Sequence, residues 1–171
     1  AGMTKDSDSV GGVVSVVSGS GVSATTGHVV IRSANAVHEF GSGSMVLSSG
    51  TTNCGSSGSV TVASGSSIDG DSGFMVLSSG TSGSGSTGSV TVASGDATVG
   101  SSGSMVLSTG DANDGSVGFM SLATGIATDG SAGSMSLTVG ETNAGDGGHV
   151  YVSAGMTKDS ASVGGVVSVV S

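Results

Sequence analysis

At 171 residues the chain has the length of one ordinary domain, yet its composition excludes one ordinary rounded core: 34 glycines, no proline or tryptophan, 2% aromatic and 9% charged residues. Three basic residues against twelve acids give a formal charge of −9, which excludes the clustered Lys and Arg that binding to nucleic acid needs. A single cysteine excludes an internal disulfide framework, and no apolar stretch reaches the roughly 18–20 residues of a membrane-spanning helix.

Glycine and serine at this density ordinarily mean a disordered linker, because too little apolar surface is available to offset backbone ordering. Strict periodicity opposes that reading, since a linker has no cause to keep Val, Met and Leu in step. In chain order, Met3–Gly19 is a cassette of seventeen residues carrying Val14/Val16, and Ser20–Ala34 one of fifteen carrying Val29/Ile31. Asn35–Gly50 has sixteen and carries Met45/Leu47, with a short strand expected over Ser44–Ser48. Seven fifteen-residue cassettes then run without a gap over Thr51–Gly155, as in TTNCGSSGSVTVASG and SSIDGDSGFMVLSSG. Their apolar pairs are Val60/Val62, Met75/Leu77, Val90/Val92, Met105/Leu107, Met120/Leu122, Met135/Leu137 and Val150/Val152. Finally Ala154–Ser171 repeats Ala1–Ser18 except that Ala161 replaces Asp8, giving a super-repeat of 153 residues. A window cut from a tandem array, or one unit of a continuing filament, would read this way.

Glycine stands at positions five, eight and fifteen of the cassette, and the apolar pair at ten and twelve. Alternation over ten and twelve is the period of a strand. Each cassette is expected to give one strand, such as Ser59–Ala63, Phe74–Ser78 or Ser104–Ser108, followed by about nine turn-forming residues. No helix is expected. The expected fold class is therefore all-β: a single parallel β-solenoid over residues 1–171, its backbone laddered along the axis and the twenty paired residues forming a narrow core. Met/Leu and Val/Val cassettes alternate through the middle of the chain, with Met120 the exception. A thirty-residue turn stacks like on like and is favoured over a fifteen-residue one.

The outward positions predict a small, hydroxylated surface, with Thr61, Val76, Thr91 and Tyr151 at position eleven and Phe74, Phe119 and His149 at position nine. The acids lie in turns: Asp69, Asp71, Asp96, Asp111, Asp114, Asp129, Glu141 and Asp146. Solvated turn carboxylates are the plain reading. Calcium held between neighbouring turns is the sharper one, although the chain lacks the G-G-x-G-x-D nonapeptide of calcium-binding repeats. No catalytic constellation emerges, because His28, His38 and His149 sit in unrelated cassettes and Cys54 is a lone turn residue. Neither an enzyme nor a cofactor is expected.

The cassettes GS-V-T-V-A-S-G and GS-M-V-L-S-S-G resemble the Gly/Ser-rich β-solenoid repeats of large secreted surface, adhesive and fibre proteins. The resemblance covers nearly the whole chain. It implies an extracellular or cell-surface structural role, self-association end to end and side by side, and surface glycans as further partners. An ice-binding or carbohydrate-binding module is the alternative, the first for its Thr ranks and the second for an aromatic groove that the 2% aromatic content disfavours.

Overall fold

The computed structural model describes residues 11–170; the opening of the first super-repeat copy, and Ser171, lie outside the described residues. The chain divides into two units, Ala1–Val90 and Thr91–Ser171. In the first, the backbone bends at 22–24, turns at His38 and Glu39, and bends again at 53–55, 68–70 and 83–85. In the second it bends at 98–100, 113–115, 128–130 and 143–145 and turns at 160–162. From residue 53 onward the bends recur every fifteen residues and fall on positions three to five of the cassette. The repeat read from the sequence is thus the repeat of the backbone.

Position two shapes the bend. Where it is Ser, as at Ser67 and Ser82, its Oγ accepts the N–H of Gly70 and Gly85 at 3.0 and 2.9 Å. Where it is Thr, as at Thr52 and Thr142, the Oγ1 hydroxyl donates instead to the carbonyls of Cys54 and Ala144, both at 2.8 Å. Only the second arrangement sends the following glycine to positive φ, 101° at Gly55 and 104° at Gly145. Gly100 reaches 100° with Ala97 at position two, so the hydroxyl is not the sole cause. Such torsions suit glycine because no Cβ obstructs them.

After most bends the chain closes on itself at position eight. A Cβ built on Gly58 would lie 3.6 Å from the Ser49 Cβ, and on Gly73 3.5 Å from that of Ser64. In the second unit Gly103 approaches Ser94 in the same way, at 3.6 Å. These are ordinary van der Waals separations, so alanine would fit at Gly58, Gly73 and Gly103. At Gly148 it would not: position fourteen is there Val139, and a Cβ would meet Val139 Cγ1 at 2.6 Å. Loops of eight to ten residues thus have ends in contact in both units, Gly118 being the exception, where a Cβ would meet nothing within 4 Å.

Between closure and the next bend the backbone is unbent and pleated. Ser136 and Thr138, two residues apart, are hydrogen-bonded through their hydroxyls at 3.1 Å. His149 and Tyr151 stack edge-to-face with ring centroids 5.7 Å apart. Contact between i and i+2 side chains is the period-two geometry of a strand, placing positions nine, eleven and thirteen on one side and ten and twelve on the other.

The expected solenoid is not formed. Among the described residues there is no helix and no strand, because no pleated segment finds a partner to ladder with. The backbone-to-backbone hydrogen bonds there are Gly27 N–H to the Gly19 carbonyl at 3.0 Å, Ser162 to Asp159 at 3.3 Å and Gly165 to Gly155 at 2.8 Å. A laddered domain would hold roughly one internal hydrogen bond per residue. The physical reason lies in the cassette itself. Two medium-sized side chains, worth about 1.5–3 kcal/mol each when fully buried, fall far short of holding fifteen residues whose ordering costs about 1–2 kcal/mol apiece. Loop closure at position eight is local and inexpensive, whereas pairing at fifteen or thirty residues is not.

Candidate functional site

The apolar pairs are open to solvent within the chain, and no described hydrophobic residue is buried. At position ten, Val29, Met45, Val60, Met75, Val90, Met105, Met120, Met135 and Val150 are 50–59% exposed. At position twelve, Ile31, Leu47, Val62, Leu77, Val92, Leu107, Leu122, Leu137 and Val152 are 65–79% exposed, and Val14 and Val16 are 74% and 71%. Position eleven is more open again, from 71% at Val76 to 87% at Tyr151. The backbone thus half-screens position ten and leaves the rest of the rank bare.

The total accessible surface is 16904 Å². A compact monomer of 15.8 kDa would expose about 7,300 Å² and its unfolded chain about 23,000 Å². Most of what a folded protein of this mass hides therefore remains on the outside. The residues expected to form a core, from Val14/Val16 to Val150/Val152, are exposed and form none within the chain.

No pocket is found. Among the described residues no three or more His, Cys, Asp or Glu side chains gather closely enough to hold a metal ion. No helix there is long and apolar enough to cross a membrane. Comparison with protein-family models, curated proteins and solved structures finds no match. The site has to be read from its own chemistry: a one-dimensional rank of aliphatic side chains backed by hydroxyls, with acids confined to the loops.

The acidic loop residues Asp69, Asp71, Asp96, Asp111, Asp114, Asp129, Glu141 and Asp146 are all exposed, as is the free thiol of Cys54. His28, His38 and His149 stay in separate cassettes, and only His149 has an aromatic neighbour, Tyr151. One polar cluster escaped the sequence reading. Asp159 Oδ1 accepts the Ala161 N–H at 3.0 Å, its Oδ2 accepts the Ser162 hydroxyl at 2.7 Å, and its own N–H donates to Thr157 Oγ1 at 3.1 Å. The Ser162 hydroxyl, followed by the Ala161 N–H, holds the Asp159 carboxyl below its ordinary 3.8. The signal was legible as Thr-Lys-Asp-Ser-Ala-Ser, a run of side chains suited to bonding their own backbone.

The ice-binding and carbohydrate-binding alternatives both need a platform. Without a laddered sheet, the Thr rank and the exposed aromatics have no flat lattice within the chain on which to be arrayed.

Proposed function

We propose that this chain is a structural, self-associating repeat element of an extracellular fibre or surface layer, and that copies of the chain are its principal partner. One observation carries the reading: aliphatic pairs, at constant fifteen-residue spacing over Thr51–Gly155, remain uncovered in the single chain. An apolar surface of this extent marks an interaction site. The pleated segments also carry backbone donors and acceptors free to pair with another chain.

Support comes as well from the resemblance of the cassettes to Gly/Ser-rich repeats of secreted surface and adhesive proteins. The role is mechanical rather than catalytic. Hydroxylated loops keep the outside hydrated, a few aromatic side chains such as Phe74 and Phe119 offer lateral contacts, and Ser/Thr-rich loops could meet surface glycans.

Charge governs when this happens. With a formal charge of −9 and a sequence isoelectric point near 4.1, copies repel at neutral pH and lose that repulsion on acidification. Sedimentation velocity over a concentration series at pH 7 and pH 4.5 tests the proposal. Large species growing with concentration, and forming more readily at pH 4.5, are expected; a chain that stays monomeric at both pH values up to millimolar concentration refutes it.

A further inference from the structure

We propose that the bends at Asp114–Gly115 and Asp129–Gly130 are sites of spontaneous covalent modification, where aspartate converts to isoaspartate through a succinimide, and that the Ser67 hydroxyl restrains the same conversion at Asp69–Gly70.

The conversion needs a side-chain carboxyl, a following main-chain nitrogen that can approach it, and backbone freedom to close the ring. An Asp–Gly step supplies all three, since glycine has no Cβ to obstruct the approach and few torsions are closed to it. The chain sets this step at positions four and five of three cassettes: Asp69–Gly70, Asp114–Gly115 and Asp129–Gly130. All of these residues are exposed, and each step lies in a bend, at 68–70, 113–115 and 128–130. A fourth step, Asp146–Gly147, falls past its bend at positions six and seven, so the three bends form the like-for-like set.

Within that set, position two differs. Ser67 Oγ accepts the Gly70 N–H at 3.0 Å, an arrangement that Ser82 repeats on Gly85 at 2.9 Å. The Gly70 nitrogen is the nucleophile of the conversion, and this bond both retains its proton and fixes the direction of its N–H. In the other two cassettes position two is Ala112 and Ala127, which carry no hydroxyl. A Cβ built on Gly70 would lie 3.5 Å from Ser67 Oγ, whereas one on Gly115 or Gly130 would meet nothing within 4 Å. Having to break one such hydrogen bond before attack slows the reaction by a factor of roughly 2–13.

The chemistry balances without an oxidant or a cofactor. The glycine nitrogen attacks Cγ of the protonated carboxyl, an N–Cγ bond forms, and the carboxyl hydroxyl leaves with the amide proton as water. Water then adds to one of the two succinimide carbonyls and breaks its bond to nitrogen. Cleavage at Cγ restores aspartate. Cleavage at the main-chain carbonyl routes the backbone through Cβ and Cγ, which lengthens the bend by one backbone carbon and leaves the former main-chain carbonyl as the free carboxylate. These bends separate Met105/Leu107, Met120/Leu122 and Met135/Leu137, so each conversion alters the spacing of the apolar pairs.

The full chain is held dilute at neutral pH and sampled over weeks, and electron-transfer fragmentation of its peptides separates aspartate from isoaspartate at equal mass. Isoaspartate is expected at Asp114 and Asp129 at least twofold faster than at Asp69. Ser67→Ala is expected to raise the Asp69 rate to that of Asp114, and Ala112→Ser to lower the Asp114 rate toward that of Asp69. Both substitutions fall at exposed positions and disturb no packed core. Equal rates at the three bends, or an Asp69 rate unmoved by Ser67→Ala, overturn the restraint by the hydroxyl. Absence of isoaspartate at Asp114 and Asp129 overturns the sites themselves, whether or not copies of the chain associate.

Discussion

Replacing Met105 and Leu107 by serine should leave the isolated chain unaltered and weaken its assembly strongly. Met105 is 50% and Leu107 65% exposed, so roughly half to two-thirds of each side chain is available for burial against another copy. Full burial of such a residue is worth about 1.5–3 kcal/mol, which scales to about 2–3 kcal/mol for the pair. At about 1.4 kcal/mol per factor of ten, the concentration for half-assembly should rise roughly 30- to 150-fold. Static light scattering over a concentration series at pH 4.5 reads this midpoint, with Ser116→Ala in a loop as the control. Circular dichroism of the dilute chain should not change, because neither side chain is buried there. A midpoint moved less than threefold, or an altered spectrum of the isolated variant, would refute the reasoning.

Further outcomes follow from the loops. Gly148→Ala should disrupt its loop, because the new Cβ meets Val139 Cγ1 at 2.6 Å, whereas Gly73→Ala, at 3.5 Å from Ser64, should be accommodated; proton NMR contacts between positions eight and fourteen distinguish the two. Gly55→Ala forces a Cβ onto a φ of 101° and should cost about 1–3 kcal/mol of local strain, read as a changed HN–Hα coupling at residue 55. The Asp159 carboxyl should titrate below 3.8, because its charged form accepts bonds from Ser162 and Ala161. A depressed value means that the turn at 160–162 is supported above the ordinary carboxylate range and lost as pH falls through the lowered value. NMR titration of the Ala161 amide should therefore show the turn intact at pH 4.5 and released at more acid pH.

The local structure was more legible than the global one. Alternation at positions ten and twelve pointed to a strand; the contacts of Ser136 with Thr138 and of His149 with Tyr151 keep its period of two, but no strand forms among the described residues. Glycine at position five announced a bend, and the bends fall there. Ladder formation could not be read in the same way, because it depends on whether the chain can hold Met75/Leu77 against a pair fifteen or thirty residues away. That balance sets a few aliphatic side chains against the ordering of many glycines and serines. The contact of position eight with position fourteen was hidden as well, since serine at fourteen carries no pattern beyond its abundance. Val139, the one large aliphatic residue at position fourteen between Ser64 and Ala154, could have drawn attention to it. The ranks expected as a core are exposed, and among the described residues no hydrophobic core is formed.

Amide hydrogen exchange of the pleated segments, measured first on the dilute chain at neutral pH and then on the same chain assembled at pH 4.5, tests the central claim most directly. After correction for the pH dependence of intrinsic exchange, the segments from Ser59 to Ala63 and from Ser104 to Ser108 should exchange at unprotected rates in the dilute chain. Gly27 and Gly165, which donate to Gly19 and Gly155, should be slower. In the assembly the same segments should slow by at least a hundredfold. Protection of these segments in the dilute chain would mean that it ladders on itself, and their free exchange in the assembly would mean that they are not what the copies share.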